Sequence, residues 1–352
     1  PKAGQTLEEV RDLLLAEVAK LRSGDFDEKL IEASINNFKL YQMRAYEDND
    51  SRADMYVQSF IAGTNWADEV AQLDRMSKIT KQDVVDWANK YLGEKSYAIV
   101  FKREGEDKSV QKIAAPKITP IVTNRDKQSA FLTEIQQSKV KPIKPVFVDY
   151  QKDMAQFDVR DGIHVLYKKN ELNDIFTLRY TFDTGTENNP ALGPAFTYLS
   201  YLGTDTMSAE QIASEMYDIA CSFYMGAGNN QSTITITGLS ENMPRAMEIV
   251  EGLIAGAVAN DAILENLKQD LLKSRADSKL NQGQNFGALQ RYMRYGEEFI
   301  RKSTLTNDAL KSLDSKSLIA AVQELMGKQH EVLYYGPMEQ EAVKTAIAEK
   351  HK

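Results

Sequence analysis

The chain has 352 residues, of which 42% are hydrophobic and 27% are charged, a balance typical of folded globular proteins with about two domains. No stretch approaches the ~20 consecutive apolar residues that cross a bilayer, and the first residues lack the basic-then-apolar pattern of a signal peptide. We therefore expect no membrane span. Because the sequence starts at Pro1 rather than Met, we expect it to be a processed or excised part of a longer polypeptide.

The contents of charged residues, cysteine and histidine exclude several kinds of site. There are 43 Lys and Arg against 51 Asp and Glu, and the formal net charge of -8 has the wrong sign for binding a phosphate backbone, so nucleic acid is not expected as a partner. A single cysteine, Cys221, can form neither an intramolecular disulfide nor a cysteine metal cluster, and it is predicted to be a small buried residue. No two of the three histidines, His164, His330 and His351, have the spacing of a zinc-binding pair on a helix.

The first hundred residues are predicted to form helices followed by one strand. Thr6 and Glu9 form a capping box before apolar residues at helical spacing, and Gly24 follows the last of them. Further helices are expected over residues 27–46, 51–62 and 81–92. Thr80 caps the last of these, and Gly93 ends it. Residues 97–101 are predicted to be a buried strand.

Residues 103–156 differ in composition from the rest, because they hold four of the nine prolines among lysines and short extended runs. We interpret them as a linker that forms an extended surface strap with a short helix near residues 129–137, since Pro-spaced segments cannot supply a continuous hydrogen-bond ladder.

After the linker, alternating polar and apolar residues predict strands, and 3.6-residue periodicity predicts helices. The predicted strands are 157–159, 162–167, 175–183, 232–239 and 330–335. The predicted helices are 191–201, 208–220, 243–258, 262–279, 286–295 and 315–326.

Residues 1–101 and 241–336 share one pattern, which indicates an internal duplication. Thr80 caps a helix that Gly93 ends thirteen residues later, and Asp314 caps one that Gly327 ends after the same interval. The offset between the copies stays between 233 and 236 along their length. Only the second copy is preceded by strands, so we expect the first to be truncated, with further strands before Pro1.

Four short motifs resemble the start of the peptidase unit in the M16 zinc metallopeptidases, the family of pitrilysin, insulinase and the mitochondrial processing peptidases. They are Asp-Thr-Gly-Thr-Glu at 183–187, Gly-Pro-Ala at 193–195, Gly-Thr at 203–204 and Met-Ser-Ala-Glu at 207–210. The resemblance implies an α+β fold of duplicated domains of the LuxS and processing-peptidase type, each a mainly antiparallel sheet packed with helices. It also implies the division into a truncated domain at 1–102, a hinge strap at 103–156 and an inactive peptidase-like domain at 157–352.

Active members of that family carry His-x-x-Glu-His on a helix directly after these motifs. The two histidines bind one zinc ion from one helix face, and the glutamate is the general base for the metal-bound water. Here the matching positions are Phe196, Thr197, Tyr198, Leu199 and Ser200, which replace both ligands and the base. The sequence therefore predicts neither a catalytic residue nor a metal ligand in this chain, and it leaves substrate-binding residues unassigned.

The remaining candidates are each predicted to have ordinary structural roles. His164 lies in a predicted strand, His330 just precedes one, and His351 is expected at a mobile end. Glu265 and Asp270, on the helix that would offer the distant zinc ligand in an active unit, are expected on a solvated charged face beside Lys268. The glycine-rich residues 226–230 precede a strand rather than a helix, so they are predicted to be a turn and not a phosphate site.

The sequence is compatible with three functions. The chain is first interpreted as the inert portion of an M16 zinc metallopeptidase, a wall of the substrate chamber. Its partners would be a zinc-bearing half of the same polypeptide and peptide substrates, and zinc would be held in that half alone. The alternative is a non-enzymatic scaffold or core subunit with a degenerate peptidase fold, and an enzyme of unrelated chemistry is the third. A bacterial periplasm is favoured over the cytoplasm.

Overall fold

The computed structural model describes residues 4–93, 96–103, 105, 109, 113–123, 125, 127–160 and 162–351. Residues 4–93 form a layer of helices whose ends are set by local sequence signals. The predicted capping box is present, since Thr6 Oγ1 accepts from the Glu9 amide at 3.1 Å, and Gly24 ends the helix in the left-handed conformation with φ of 77°. The helices are α1 (Leu7–Ser23), α2 (Lys29–Glu47), α3 (Asn49–Ala62), α4 (Trp66–Val70), α5 (Gln72–Met76) and α6 (Lys81–Tyr91).

Helices α1 and α6 pack against each other. Asn89 Nδ2 donates to the Arg22 carbonyl at 2.8 Å, and Lys81 Nζ donates to the Phe26 carbonyl at 2.7 Å. A Cβ atom on Gly24 would approach the Val85 side chain to 3.3 Å, which shows how close the two helix ends come. Polar contacts therefore join α6 to the C-terminal end of α1 and to the residues just after it.

The strand predicted at residues 97–101 is wrong. These residues belong to no strand, and Val100 is 91% exposed. All strands in the described part of the chain start at residue 155 or later, so this segment has no neighbour to complete its hydrogen bonds. The apolar composition was correctly recognised, but a strand needs a partner as well as apolar side chains.

Before residue 155, the described residues of the connecting segment are largely exposed, and their one regular element is the helix α7 (Ala130–Gln137), which Ser129 caps. That helix confirms the one predicted near residues 129–137. Several large apolar side chains of the segment lie in solvent, including Ile143 and Val146.

A six-stranded mixed sheet forms the centre of the second region. Its spatial order is β1-β2-β6-β3-β5-β4, and every neighbouring pair is antiparallel except β2 with β6. The strands are β1 (Ala155–Arg160), β2 (Ile163–Lys169), β3 (Ile175–Phe182), β4 (Cys221–Ala227), β5 (Ser232–Leu239) and β6 (His330–Gly336). The strand β4, which forms one edge, was missed from the sequence because its Ser-Phe-Tyr-Met-Gly run alternates only weakly.

The helices of this region are α8 (Leu192–Leu199), α9 (Ala209–Asp218), α10 (Met243–Gly256), α11 (Asp261–Ser278), α12 (Gln282–Ser303), α13 (Asn307–Lys311), α14 (Ser315–Met326) and α15 (Gln340–Lys350). Most of them cover one face of the sheet, whereas α12 is exposed along nearly all of its length and buries only Ser303. The alternation of β3 explains which face is covered, since Leu178, Tyr180 and Phe182 are buried while Arg179 is exposed. No helix in the described residues is both long and apolar enough to cross a membrane.

The other face of the sheet is rich in threonine and is only partly buried. Thr177 and Thr237 form part of its centre, and Thr237 Oγ1 donates to the Phe176 carbonyl at 2.8 Å. Helix α2 reaches one end of this face, where Arg44 Nη2 donates to Thr237 Oγ1 at 3.2 Å. There Leu40 joins a small second core with Ile175, Ala220 and Leu239.

The order of helices supports the duplication. Helices α1, α2, α3, α5 and α6 are followed by residues 97–101 in the same order in which α10, α11, α12, α13 and α14 are followed by β6. Gly63 ends α3 with φ of 66°, and Gly296, at an offset of 233, interrupts α12 with φ of 77°. The second copy packs α10 and α14 into the core on the sheet, whereas the first copy reaches the sheet only at its threonine-rich face, through α2.

Candidate functional site

The five residues at the zinc-motif positions lie on α8 and directly after it, and α8 contacts β4, α11 and α14. Phe196 and Leu199 are each 1% exposed and belong to the main hydrophobic core. Thr197 and Ser200 face solvent and donate to backbone carbonyls of α8, at Gly193 and Thr197. These side chains therefore serve packing and local hydrogen bonding.

Tyr198 ties α8 to the start of α11. Its hydroxyl donates to the Asn260 carbonyl at 3.0 Å and accepts from the Asn260 amide at 2.8 Å. Asn260 in turn caps α11 by accepting from the amides of Ala262 and Ile263. The buried tyrosine thus has a complete structural role.

This donor set does not fit zinc. Zinc in proteins takes imidazole, thiolate or carboxylate ligands, and positions 196, 199 and 200 supply a phenyl ring, an isobutyl group and a backbone-bonded hydroxyl. Within the described ranges, no group of three or more His, Cys, Asp and Glu side chains is arranged to hold a metal ion.

The Asp-Thr-Gly-Thr-Glu segment before α8 docks on the hairpin between β4 and β5. The amides of Thr186 and Glu187 donate to the carbonyls of Gly228 and Asn229 at 2.9 and 3.0 Å. A Cβ atom on Gly185 would lie 2.2 Å from the Asn229 carbonyl oxygen, so only glycine allows this approach. The motif's role here is to position the start of α8.

The Gly-Thr motif at 203–204 forms a tight turn after α8. The Thr204 amide donates to the Met207 carbonyl at 2.8 Å, and the Val258 amide donates to the Gly203 carbonyl at 2.9 Å. Ser208 follows and caps α9 through a capping box with Gln211. The turn thus joins the ends of α8 and α10 to the start of α9.

The glutamate and aspartate singled out on α11 lie on a charged helix. Glu265 is paired with Lys268 at 3.8 Å, and its side chain is 60% exposed. Asp270 is also exposed. At these exposures the expectation of a solvated charged face is confirmed.

Cys221 and the glycine-rich residues also have structural positions. Cys221 is buried at the start of β4, and burial raises the pKa of its thiol to about 12, which disfavours the reactive thiolate. Residues 228–231 are the loop of the β4–β5 hairpin, where the Gly228 amide donates to the Gln231 carbonyl at 2.7 Å. The turn predicted at 226–230 is confirmed for residues 228–230, whereas Gly226 and Ala227 belong to β4.

The histidines differ from expectation in one case. His164 is partly exposed on β2, and its Nδ1 lies 2.8 Å from Asp158 Oδ1. The prediction that His351 lies at a mobile end is wrong, because it is 1% exposed and follows α15, which packs Val343 and Ile347 into the core. Its Nε2 lies 2.7 Å from His330 Nε2, and its Nδ1 lies 2.5 Å from Glu251 Oε1.

Sequence reasoning missed this buried cluster because its members are far apart in the chain. The helix α15 was detectable, since Val343, Ala346 and Ile347 have the i, i+3, i+4 spacing of an apolar helix face. Recognising it would have placed His351 at a helix end against the sheet.

Comparison with solved structures identifies the architecture. The periplasmic protease PqqL from Escherichia coli matches over 97% of this chain and 40% of its own, with a TM-score of 0.50 and 13% identity. The chain has the fold of the M16 peptidases. An M16 inactive domain from Pseudomonas fluorescens also matches, over 56% of this chain and 50% of its own, with a TM-score of 0.49 and 14% identity.

The ferredoxin protease FusC, in complex with Arabidopsis ferredoxin, matches over 91% of this chain and 40% of its own, with a TM-score of 0.49 and 12% identity. This chain therefore spans about half or less of the length of these M16-fold structures. No protein-family model and no curated protein matches the sequence.

Proposed function

We propose that this chain is the catalytically inactive portion of an M16-type zinc metallopeptidase. The proposal rests on α8, which follows the family's opening motifs in a chain with the M16 fold. The first ligand position and the base position hold the core residues Phe196 and Leu199, and the second ligand position holds the exposed Ser200. A domain of this kind contributes enclosure and substrate contacts, while proteolysis is carried out by a zinc-bearing half of the same polypeptide.

The threonine-rich sheet face is the surface that we assign to the chamber wall. Thr181, Thr233 and Thr235 on β3 and β5 are partly exposed there, beside the exposed Arg179. Short hydroxyl side chains on a flat sheet offer hydrogen bonds to a peptide backbone without selecting one side-chain type. Such a wall suits extended peptides of varied sequence.

The first helix layer is where we expect the partner half to bind. Leu13 and Leu14 on α1 are 60% and 65% exposed, and Trp87 on α6 is also exposed. Their counterparts in the second copy are covered by a sheet, so we propose that a β-sheet of the zinc-bearing half covers this layer. Exposed apolar faces of this kind mark interaction surfaces.

The extended segment between the two regions is then a hinge strap, along which the two halves open and close around a substrate. A periplasmic location, as for the matched protease PqqL, belongs to the same proposal.

The test begins with the coding sequence upstream of Pro1, where the proposal requires a complete His-x-x-Glu-His unit in frame. That unit and the 352-residue chain are purified separately, and cleavage of a fluorogenic unstructured peptide is measured for each and for the mixture. We expect cleavage by the mixture to exceed the sum of the two, and to be lost with a zinc chelator.

Two variants locate the contacts. Leu13→Glu should weaken the stimulation at least tenfold, because it places a charge in the proposed sheet-binding face. Leu172→Glu, at a leucine of the second region that is also exposed, should not. Thr233→Glu should lower the kcat/KM of the mixture severalfold, because it places a charge in the proposed chamber wall. Thr345→Glu on the exposed side of α15 is its control. If no upstream zinc unit exists, or the mixture shows no stimulation, the chain is a non-enzymatic scaffold instead.

A further inference from the structure

A cavity of about 960 Å³ lies between the first helix layer and the second region. One of its walls is formed by α2 together with residues of α3 and α5, and the other is the β2–β3 loop at residues 170–174. Cavities of this size at the junction of two structural units are common sites for small ligands. The proposed chamber wall and the proposed contact with a zinc-bearing half use other residues.

The carboxamide of Gln42 on α2 lines this cavity. Gln42 is 8% exposed, and its side chain has no hydrogen-bond partner in the described part of the chain. A buried amide without a partner is unfavourable, and the large majority of such groups in folded proteins find one. A carboxamide both donates and accepts, so a single peptide bond of a ligand can satisfy it. Gln42 therefore indicates a ligand that carries an amide group.

The β2–β3 loop is held in one conformation by Asn170, which is 2% exposed. Its Nδ2 donates to the Ile175 carbonyl at 3.0 Å, and its Oδ1 accepts from the Leu172 amide at 2.9 Å. Asn173 Nδ2 donates to Glu47 Oε1 on α2 at 2.8 Å, which ties the loop to the opposite wall. Because this wall is already ordered, a ligand does not have to order it on binding.

The charged side chains that line the cavity are separated by sign. Lys39 and Arg52 lie on the helix wall, and Glu171 and Asp174 lie on the loop wall. Over the described ranges none of these four is in an ion pair, whereas Glu47, the third charge of the helix wall, accepts the hydrogen bond from the loop. A ligand with a carboxylate at one end and an ammonium group at the other complements this arrangement.

Apolar side chains complete the lining. Met43 and Leu73 come from the helix wall, Leu172 from the loop, and Pro337 from the residues just after β6. Leu172 is 77% exposed, so an apolar side chain of a ligand would remove apolar surface from water here.

We propose that this cavity is a binding site for short peptides with free ends. The carboxylate of the peptide lies toward Lys39 and Arg52. Its ammonium group lies toward Glu171 and Asp174, and one of its peptide bonds pairs with Gln42. The site is independent of the proposed proteolysis, because binding needs only the residues of this chain.

The test is isothermal titration calorimetry of the 352-residue chain at pH 7.5 with the tripeptide Ala-Leu-Ala. We expect a Kd of about 1 mM or tighter. Acetylation and amidation of both ends should weaken binding about tenfold, because both charges are lost. Free leucine has both charges but no peptide bond, and it should also bind about tenfold more weakly. If the capped tripeptide or leucine binds as tightly as Ala-Leu-Ala, the assignment to peptides with free ends is overturned.

Variants of the two walls test the orientation of the peptide. Lys39→Met should reduce the effect of amidating the C-terminus and leave the effect of acetylating the N-terminus unchanged. Asp174→Asn should do the reverse. Lys29→Met, on the same helix but outside the cavity, is the matched control and should bind like the unsubstituted chain. If each wall variant changes both effects alike, the peptide is not held between the two walls.

Gln42→Leu tests the amide without endangering the fold. Leucine is similar in size and removes a buried amide that has no partner, so the midpoint of urea unfolding should not fall. Binding of Ala-Leu-Ala should nevertheless weaken about fivefold. A purely structural residue would instead lower the midpoint and leave binding by the folded chain unchanged. The proposal is overturned if no binding is detected up to about 10 mM tripeptide, or if Gln42→Leu binds as tightly as the unsubstituted chain.

Discussion

The two copies of the helical unit share their local structure and differ in burial. Leu13 and Leu14 on α1 correspond in the duplication to Ile249 and Val250 on α10. The first pair is 60% and 65% exposed, and the second pair is 4% and 0% exposed. Both helices form, because their ends and periodicity are set locally.

The comparison separates what makes a helix from what makes a core. In the second copy the sheet built from β1 to β6 supplies the apolar surface that α10 and α14 bury. In the first copy, α1 has no buried residue at all. The first layer therefore has its helices but lacks the burial that makes most of the stability of a folded domain.

The largest effect is expected in the core that the sheet forms with its helices. Leu199→Glu places a carboxylate into the core at a side chain that is 1% exposed, and we expect a loss of about 4 kcal/mol or more in the free energy of unfolding. The measurement is urea unfolding followed by far-UV circular dichroism. Thr197→Glu, two residues earlier on the exposed face of α8, is the control and should cost less than about 0.5 kcal/mol.

A matched pair across the duplication tests the comparison directly. Ile249→Ala should cost about 2 to 4 kcal/mol, because it leaves a cavity in the core, and Leu13→Ala should change stability by less than about 0.5 kcal/mol. Trp66 and Trp87, the only tryptophans, both lie in the first layer, so their fluorescence follows that layer separately during unfolding. Equal costs for the two substitutions would contradict the assignment of burial to one copy.

Local signals in the sequence predicted much of this architecture. The caps at Thr6, Thr80, Ser208 and Asp314 each start a helix where expected, because a cap depends on residues within one turn. The α+β class, and the M16 resemblance carried by residues 183–210, agree with the fold that the structure has.

Features that depend on distant residues were not predictable in the same way. Residues 97–101 have strand composition but no partner, and β4 has a partner but weak alternation. The contact of His330 with His351 requires both β6 and α15 to be placed first. Whether positions 196 to 200 are the remains of a zinc motif stays a prediction, since packing and local hydrogen bonds explain their present role but not their origin.

The segment at 97–101 and its counterpart β6 should differ in hydrogen exchange. Each β6 neighbour, β2 and β3, supplies ladder hydrogen bonds, whereas residues 97–101 have no strand beside them in the described chain. We expect amides of β6 to exchange at least about 100-fold more slowly than those of 97–101. Addition of the zinc-bearing half should slow exchange at 97–101 if that half supplies the missing sheet, and no change would contradict this part of the proposal.

The smallest expected effect concerns the caps themselves. Thr80 and Asp83 form a capping box at α6, and the hydrogen bonds from Thr80 lower the pKa of Asp83. Because the folded pKa is depressed, this contribution is present above about pH 3.9 and is lost as the pH falls through the folded value.

Thr80→Ala should therefore destabilise α6 by about 1 kcal/mol at neutral pH, and it should reduce the acid-induced loss below about pH 4. Trp87, which lies on α6, reports the change by fluorescence. Ser208→Ala removes the equivalent cap from α9 in the second region and should leave the tryptophan signal unchanged. If both substitutions shift that signal alike, the first helix layer unfolds together with the sheet domain, and the two copies are not independent in stability despite their difference in burial.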